Sequence, residues 1–415
     1  MTRLPLAALA VTVLALATAC GGAPRVAPPS PTVAPDASPT AAFTPLAPLP
    51  AELIDPASLA KRSGGFVFDV ESGELWWLRD RGGDWSPSGD TLLVIGCCVG
   101  AGGVELIEFP GGAVSRLYYG DVAAADWSPD GRRIAFSTHE DGPRHLYVVN
   151  RDGTGLRKLP AAAGERIAWS PAGGHIAVST GTGFGVIDMV TGRFTIVTDV
   201  DAWAWSPDGR SLALANAAGL SVYDIGTGDR RQIARGHAYG PIVWSPDGSR
   251  ILLPFGEQIP LRQGPYASTP EAGVPPRLVF SLEEAENPVS LGAVRSVAWS
   301  PDGARIAYVS EGCITGEWDI FVTAADGADP RRLTNTPDAF KEGPDWSPDG
   351  TSIAYAAYGE VSLVNVETGK ARSLIQAQDG HGFHLHGSGW SGRSAWSATG
   401  RYLQVNAGGG HGVCD

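Results

Sequence analysis

Short apolar or alternating runs, each of a few residues and each closed by Pro, Gly, Asp or Ser, recur along this chain. His145-Leu146-Tyr147-Val148-Val149-Asn150 and Arg305-Ile306-Ala307-Tyr308-Val309 are of strand length and rich in β-branched and aromatic residues, the pattern of β-strands bounded by turns. The punctuation itself repeats. W-S-P-S-G begins at Trp85, W-S-P-A-G at Trp169, and W-S-P-D-G at Trp127, Trp205, Trp244, Trp299 and Trp346, with a degenerate W-S-A-T-G at Trp396. These eight motifs span 311 residues in seven intervals, about 44 residues apiece, which is the period of a four-stranded propeller blade.

Ser-Pro-Asp-Gly is a β-turn signature, because Pro presets φ at its second position and Gly accepts positive φ at its end. It joins a strand ending in Trp (strand A) to the following apolar strand (B). A second hairpin follows, clearest where Asp152-Gly153-Thr154-Gly155 links His145–Asn150 to Leu156-Arg157-Lys158-Leu159, and supplies strands C and D. Before the first motif, Phe68-Asp69-Val70-Glu71-Ser72-Gly73 aligns with the C-to-D hairpins at Tyr223-Asp224-Ile225-Gly226-Thr227-Gly228 and Val364-Asn365-Val366-Glu367-Thr368-Gly369. After the last motif, Ser394–Trp396 and Tyr402–Asn406 supply A and B with nothing following. The chain therefore predicts an all-β fold: a single propeller of about eight four-stranded blades, in which an N-terminal C/D pair completes the C-terminal A/B pair and removes the free edges.

Trp85, Trp127, Trp169, Trp205, Trp244, Trp299, Trp346 and Trp396 occupy equivalent positions, so they are read as packing between blades rather than as ligand platforms. Burial of about 150 to 250 Å² each is worth roughly 4 to 6 kcal/mol gross at about 25 cal/mol per Å², an upper bound because the unfolded chain is already compact. The motif aspartates Asp130, Asp208, Asp247, Asp302 and Asp349 are read as turn formers.

Composition narrows the picture. Of 415 residues, 55 are Gly and 32 Pro, yet 43% are hydrophobic and 13 are Trp; the core is large and the Gly and Pro are punctuation. A net charge of -13 lacks the basic stripe a phosphate backbone needs, which argues against nucleic acid and anionic membrane surfaces as partners. At the N-terminus, Arg3 precedes a run from Leu4 to Leu16 that is apolar apart from Thr12, and Ala17-Thr18-Ala19-Cys20 follows. The run is too short to span a bilayer and reads as a signal peptide over residues 1–19, with Cys20 as the lipidated first residue. Residues 20–62, rich in Pro, Ala, Ser and Thr, are the expected tether, and 63–415 the propeller. The membrane is met through the lipid alone, on the outer face of the cytoplasmic membrane or in the cell envelope.

The W-S-P-D-G repeats resemble the WD-like propeller repeats of the TolB family and of the propeller domain in prolyl-oligopeptidase-type enzymes, over about residues 64 to 408. The resemblance implies the fold and leaves function open. TolB has six such blades and a separate N-terminal α/β domain, where this chain has a Pro-rich tether.

No G-x-S-x-G elbow, Gly-rich phosphate loop or His-Glu-x-x-His sequence occurs. The D-to-A and B-to-C connections share one face of a propeller, and the long ones fall there: Pro254 to Arg277, Ser310 to Glu317 and Ile375 to Gly392. Cys97, Cys98, Cys313 and Cys414 lie on that face. In an oxidising compartment an even number reads first as disulfides, with thiolate metal ligation or free thiols as alternatives, and adjacency of the last and first blades favours Cys414 with Cys97 or Cys98. His381, His384, His386 and His411 gather four of the chain's 8 histidines and suit a divalent transition metal, against the alternative of solvated loop imidazoles. The reading that follows is a monomeric, non-catalytic binding or scaffolding module for a protein, peptide or envelope glycan, with no certain cofactor. The alternative is an enzyme with a histidine-bound metal at the channel mouth, as in polysaccharide lyases whose propeller repeats resemble these.

Overall fold

The computed structural model describes residues 51–54, 64–78, 83–96, 102–138, 144–162, 164–180, 183–235, 242–254, 265–268, 277–278, 294–311, 318–335, 341–357, 359–376, 383–385 and 394–407. Among the described residues there is no helix. Each motif builds one antiparallel meander. Blade one runs through Gly83–Trp85, Thr91–Gly96, Gly103–Glu108 and Ala113–Tyr119. Blades two to seven repeat that order, opening on Val122–Trp127, Ile167–Trp169, Ala202–Trp205, Val243–Trp244, Val294–Trp299 and Glu342–Trp346.

The protein is a β-propeller of seven four-stranded blades closed by an eighth sheet, which has five strands rather than the expected four. In that sheet Gly64–Asp69 from the start of the chain pairs with Tyr402–Ala407 from its end, from Gly64 opposite Ala407 to Asp69 opposite Tyr402. Leu75–Trp77 pairs with Gly64–Asp69, and Glu52–Ile54 adds outside it, Leu53 opposite Trp76. The fifth strand comes from the stretch read as tether: three residues between prolines carry too little pattern to be seen in sequence.

Two further expectations change. Strand A of the closing blade is in two pieces, Phe383–Leu385 opposite Val405–Ala407 and a single bridge from Trp396 to Leu403. His384 is therefore on a strand, opposite Asn406, and not on a loop. In blade five the stretch Pro254 to Arg277 is not one connection, because Pro265–Ser268 crosses back antiparallel to Ile251–Pro254. Arg277–Leu278 then pairs antiparallel with Pro265–Ser268 on its other side. A proline at the first residue of a strand is tolerated, but in sequence it hides the strand.

The core lies between blades, not in one centre, so each repeat packs on its neighbours. Leu93, Val104 and Leu106 of blade one meet Trp127, Ile134 and Phe136 of blade two, and across the closure Val67, Leu78 and Tyr402 meet Leu92, Val94 and Ile107. Strand order explains the burial: Leu212–Ala215 of a B strand is wholly buried, whereas the D strand Phe194–Thr198 alternates between half-buried and exposed.

A ring of hydrogen bonds shows what the motif does. Each of six indoles donates its Nε1–H to the carbonyl just before the Trp of the preceding blade: Trp127 to Asp84 at 3.1 Å, Trp205 to Ala168 at 3.1 Å, Trp244 to Ala204 at 3.2 Å, Trp346 to Ala298 at 3.2 Å, Trp396 to Asp345 at 3.3 Å, and Trp85 to Ala395 at 3.0 Å. The last crosses the closure. Trp169 and Trp299 do not donate, and their Nε1 atoms are buried without a partner; Asp126 instead accepts the Trp169 backbone N–H at 2.6 Å. In the turns, Ser Oγ donates to the motif aspartate, as from Ser128 to Asp130 and from Ser245 to Asp247, each at 2.6 Å. Those hydroxyls and the following backbone N–H groups hold the carboxyls below their ordinary value, Asp247 at about 2, so the aspartates are ionised turn clamps. Gly131, at φ +67°, packs over Pro87 of the preceding blade, and the turns thereby stack around the ring.

Candidate functional site

Strand A begins, and strand B ends, on the face that carries the D-to-A and B-to-C connections. On that face a cavity of about 450 Å³ opens between blades three and four. Three separate connections build it: Arg166 at the start of strand A in blade three, Thr180 and Gly183 flanking the B-to-C turn of that blade, and Asp199 to Asp201 leading into strand A of blade four, which brings Trp203.

Each wall is fixed locally. The Arg166 N–H donates to Ser179 Oγ at 3.0 Å, and the Arg166 guanidinium carbon stands 4.2 Å from the centroid of the Trp203 ring, a cation–π arrangement that keeps the cation at the cavity wall. Trp203 is 4% exposed and rests on Phe184, with ring centroids 5.8 Å apart. Gly183 is required because a Cβ there would lie 2.3 Å from the Val197 carbonyl oxygen. Asp199 has φ +60°, a left-handed conformation that aspartate accepts better than most residues. Asn216 Nδ2 holds it there, donating to its carbonyl and to its Oδ2, both at 2.9 Å. Thr180 Oγ1 is buried without a partner.

The lining thus combines one guanidinium, two carboxylates, hydroxyls and an indole. It can hold a ligand that carries both donors and acceptors. Among its described residues no hydroxyl is hydrogen-bonded to a carboxylate, and no three His, Cys, Asp or Glu side chains gather as metal ligands.

Cys20, Cys97, Cys98, Cys313, Cys414, His381, His386 and His411 lie outside the described residues, and His384 is described only as backbone. None of the cavity residues was singled out by sequence. They come from connections of different blades and form no motif; a readable hint was the Asp199-Val200-Asp201 run directly before Ala202-Trp203.

No family model matches the chain. Among curated proteins, the Tol-Pal system protein TolB of Syntrophus aciditrophicus is 45% identical over 38 residues, which is 9% of this chain and 8% of that protein. Among solved structures, dipeptidyl peptidase 4 of Porphyromonas gingivalis superposes with a TM-score of 0.58 at 15% identity, over 76% of this chain and 55% of that one. A prolyl endopeptidase superposes with a TM-score of 0.51 at 14% identity, over 78% and 52%. At such identities the superpositions establish the fold alone. The chain is a β-propeller that is similar in sequence to TolB over one 38-residue stretch.

Proposed function

We propose that this chain is an exported, lipid-anchored propeller that binds an extended segment of a protein or peptide on its long-loop face without turning it over. The observation that carries this reading is the cavity between blades three and four. Its guanidinium over an indole, set against two carboxylates, offers both charge signs to a peptide's carbonyls, amides and side chains, and among its described residues no hydroxyl is hydrogen-bonded to a base that would activate it. Export is supported by Arg3, the Leu4–Leu16 run and Ala17-Thr18-Ala19-Cys20, and an envelope glycan is the alternative ligand of the same binding class. A photo-reactive amino acid at Asp201, on the loop face, crosslinks the ligand in cells, whereas one at exposed Asp152, on the opposite face, does not. Arg166→Ala lowers the Asp201 crosslink severalfold with an unchanged melting profile. Equal crosslinking from both faces, or indifference to Arg166→Ala, overturns the reading.

A further inference from the structure

The outermost strand of every blade leaves one side of its backbone unpaired, and such edges pair with other chains unless something prevents it. Here the prevention is visible blade by blade. The D strands of blades one, two, four, five, six and seven each carry a cation: Arg116, Arg157 with Lys158, Arg230 with Arg231, Arg277, Arg331 with Arg332, and Arg372. Two D strands carry none. Leu75–Trp77 of the closing blade is one, and its edge is covered by Glu52–Ile54 in a register of Glu52 with Trp77 and Ile54 with Leu75. Phe194–Thr198 of blade three, Phe-Thr-Ile-Val-Thr, is the other.

That second edge is β-branched and carries no charge of its own; among the described residues a cation meets it at its last residue, where the Arg230 guanidinium of blade four donates to the Thr198 and Asp199 carbonyls, each at 3.3 Å. Ile196 is 56% exposed, and Val190 in the adjoining C-to-D turn is 90% exposed. Its flanks are charged with opposite signs, Arg193 before it and Asp199 after it, both exposed. Arg193 has no ion pair among the described residues.

We propose that the blade-three edge is a self-association surface, on which a second copy of this chain pairs its own Phe194–Thr198 strand antiparallel about a two-fold axis through Ile196. An isologous pairing of this kind repeats each contact twice. Centred on Ile196, it sets Ile196 against its own copy, Thr195 against Val197 and Phe194 against Thr198, and it brings Arg193 toward Asp199 just beyond each strand end, where Asp199 leaves the ladder at φ +60° with one carboxylate oxygen held by Asn216. β-Branched and aromatic cross-strand pairs and opposite charges each favour association. A shift of the centre to Thr195 or Val197 loses the charge pairing at both ends. Copies with a net charge of -13 repel at long range, but screening beyond about 8 Å at physiological salt leaves the local pairing to decide.

Sedimentation equilibrium of the full chain tests this. The unsubstituted protein shows a concentration-dependent dimer across the micromolar range. Ile196→Lys, which places two ammonium groups face to face on the axis, weakens dimerisation at least about tenfold, and Arg193→Glu weakens it less, with all three proteins melting alike. Ile196→Cys, oxidised, gives a covalent dimer above the background of the unsubstituted chain, and Val190→Cys, off the axis, does not. A chain that stays monomeric throughout, or a dimer indifferent to Ile196→Lys, overturns the proposal. Arg166→Ala leaves dimerisation intact, so failure here is distinguishable from failure of the loop-face reading.

Discussion

Asp69→Ala tests what holds the ring shut. Asp69 is fully buried and accepts four hydrogen bonds: from Arg401 Nε at 3.0 Å and Nη2 at 2.7 Å, and from the backbone N–H groups of Glu71 at 3.0 Å and Ser72 at 3.2 Å. Burial pushes its carboxyl upward, but the Arg401 guanidinium and the two N–H groups more than offset this and hold it below its ordinary value. The Arg401 bonds tie the strand from the chain's start to the strand from its end; the N–H bonds only cap a turn. Asp224 in blade four provides the comparison, since it caps the same turn through the Thr227 N–H at 2.8 Å with no such partner across a closure. Breaking a buried pair from one side costs about 3–5 kcal/mol. Arg401 is 36% exposed, and water reaching it screens the pair, so Asp69→Ala should cost about 1–3 kcal/mol more than Asp224→Ala. The measurement is urea unfolding of both variants, with a double-mutant cycle through Arg401→Ala. Because the carboxyl is depressed in the fold, its contribution is present above its ordinary value near 4 and fades as pH falls through the lower folded value. Equal losses from Asp69→Ala and Asp224→Ala, or a cost unchanged in the Arg401→Ala background, would refute the reasoning.

Asp345 has the opposite sign. Burial raises it to about 6, against the pull of the Ser394 hydroxyl and the N–H groups of Ala395 and Trp396, so its contribution is full below about 4 and lost as pH rises through about 6. Asp345→Asn, which keeps an acceptor for Ser394 and Ala395, should leave the urea midpoint unchanged at pH 4 and raise stability at pH 7.5 by on the order of 2 kcal/mol. Cys20→Ser should move the protein from the membrane fraction to the soluble exported fraction; equal membrane retention ends the lipoprotein reading. Zinc titrated calorimetrically into metal-stripped protein should bind tighter than millimolar and weaken as pH falls below about 6.5. Indifference to His384→Ala with His386→Ala removes the metal site and the enzyme alternative with it.

Much of the fold was written locally. A turn such as Ser245-Pro246-Asp247-Gly248 closes on itself through Ser245, Asp247 and the Arg250 N–H, so its period alone announced the blades. The match of Phe68–Gly73 to later hairpins likewise announced that the two ends share a sheet. What the sequence could not show depended on neighbours. Glu52–Ile54 becomes a strand because Leu75–Trp77 offers it an uncharged edge, and Pro265–Ser268 because Ile251–Pro254 lies beside it. The cavity exists because the ring brings Arg166, Thr180 and Asp199 together and Asn216 holds Asp199 at a positive φ. Turns and periods are local free energies and survive as pattern in the chain, whereas an edge partner or a cavity wall is set by contacts across blades, which no single segment encodes.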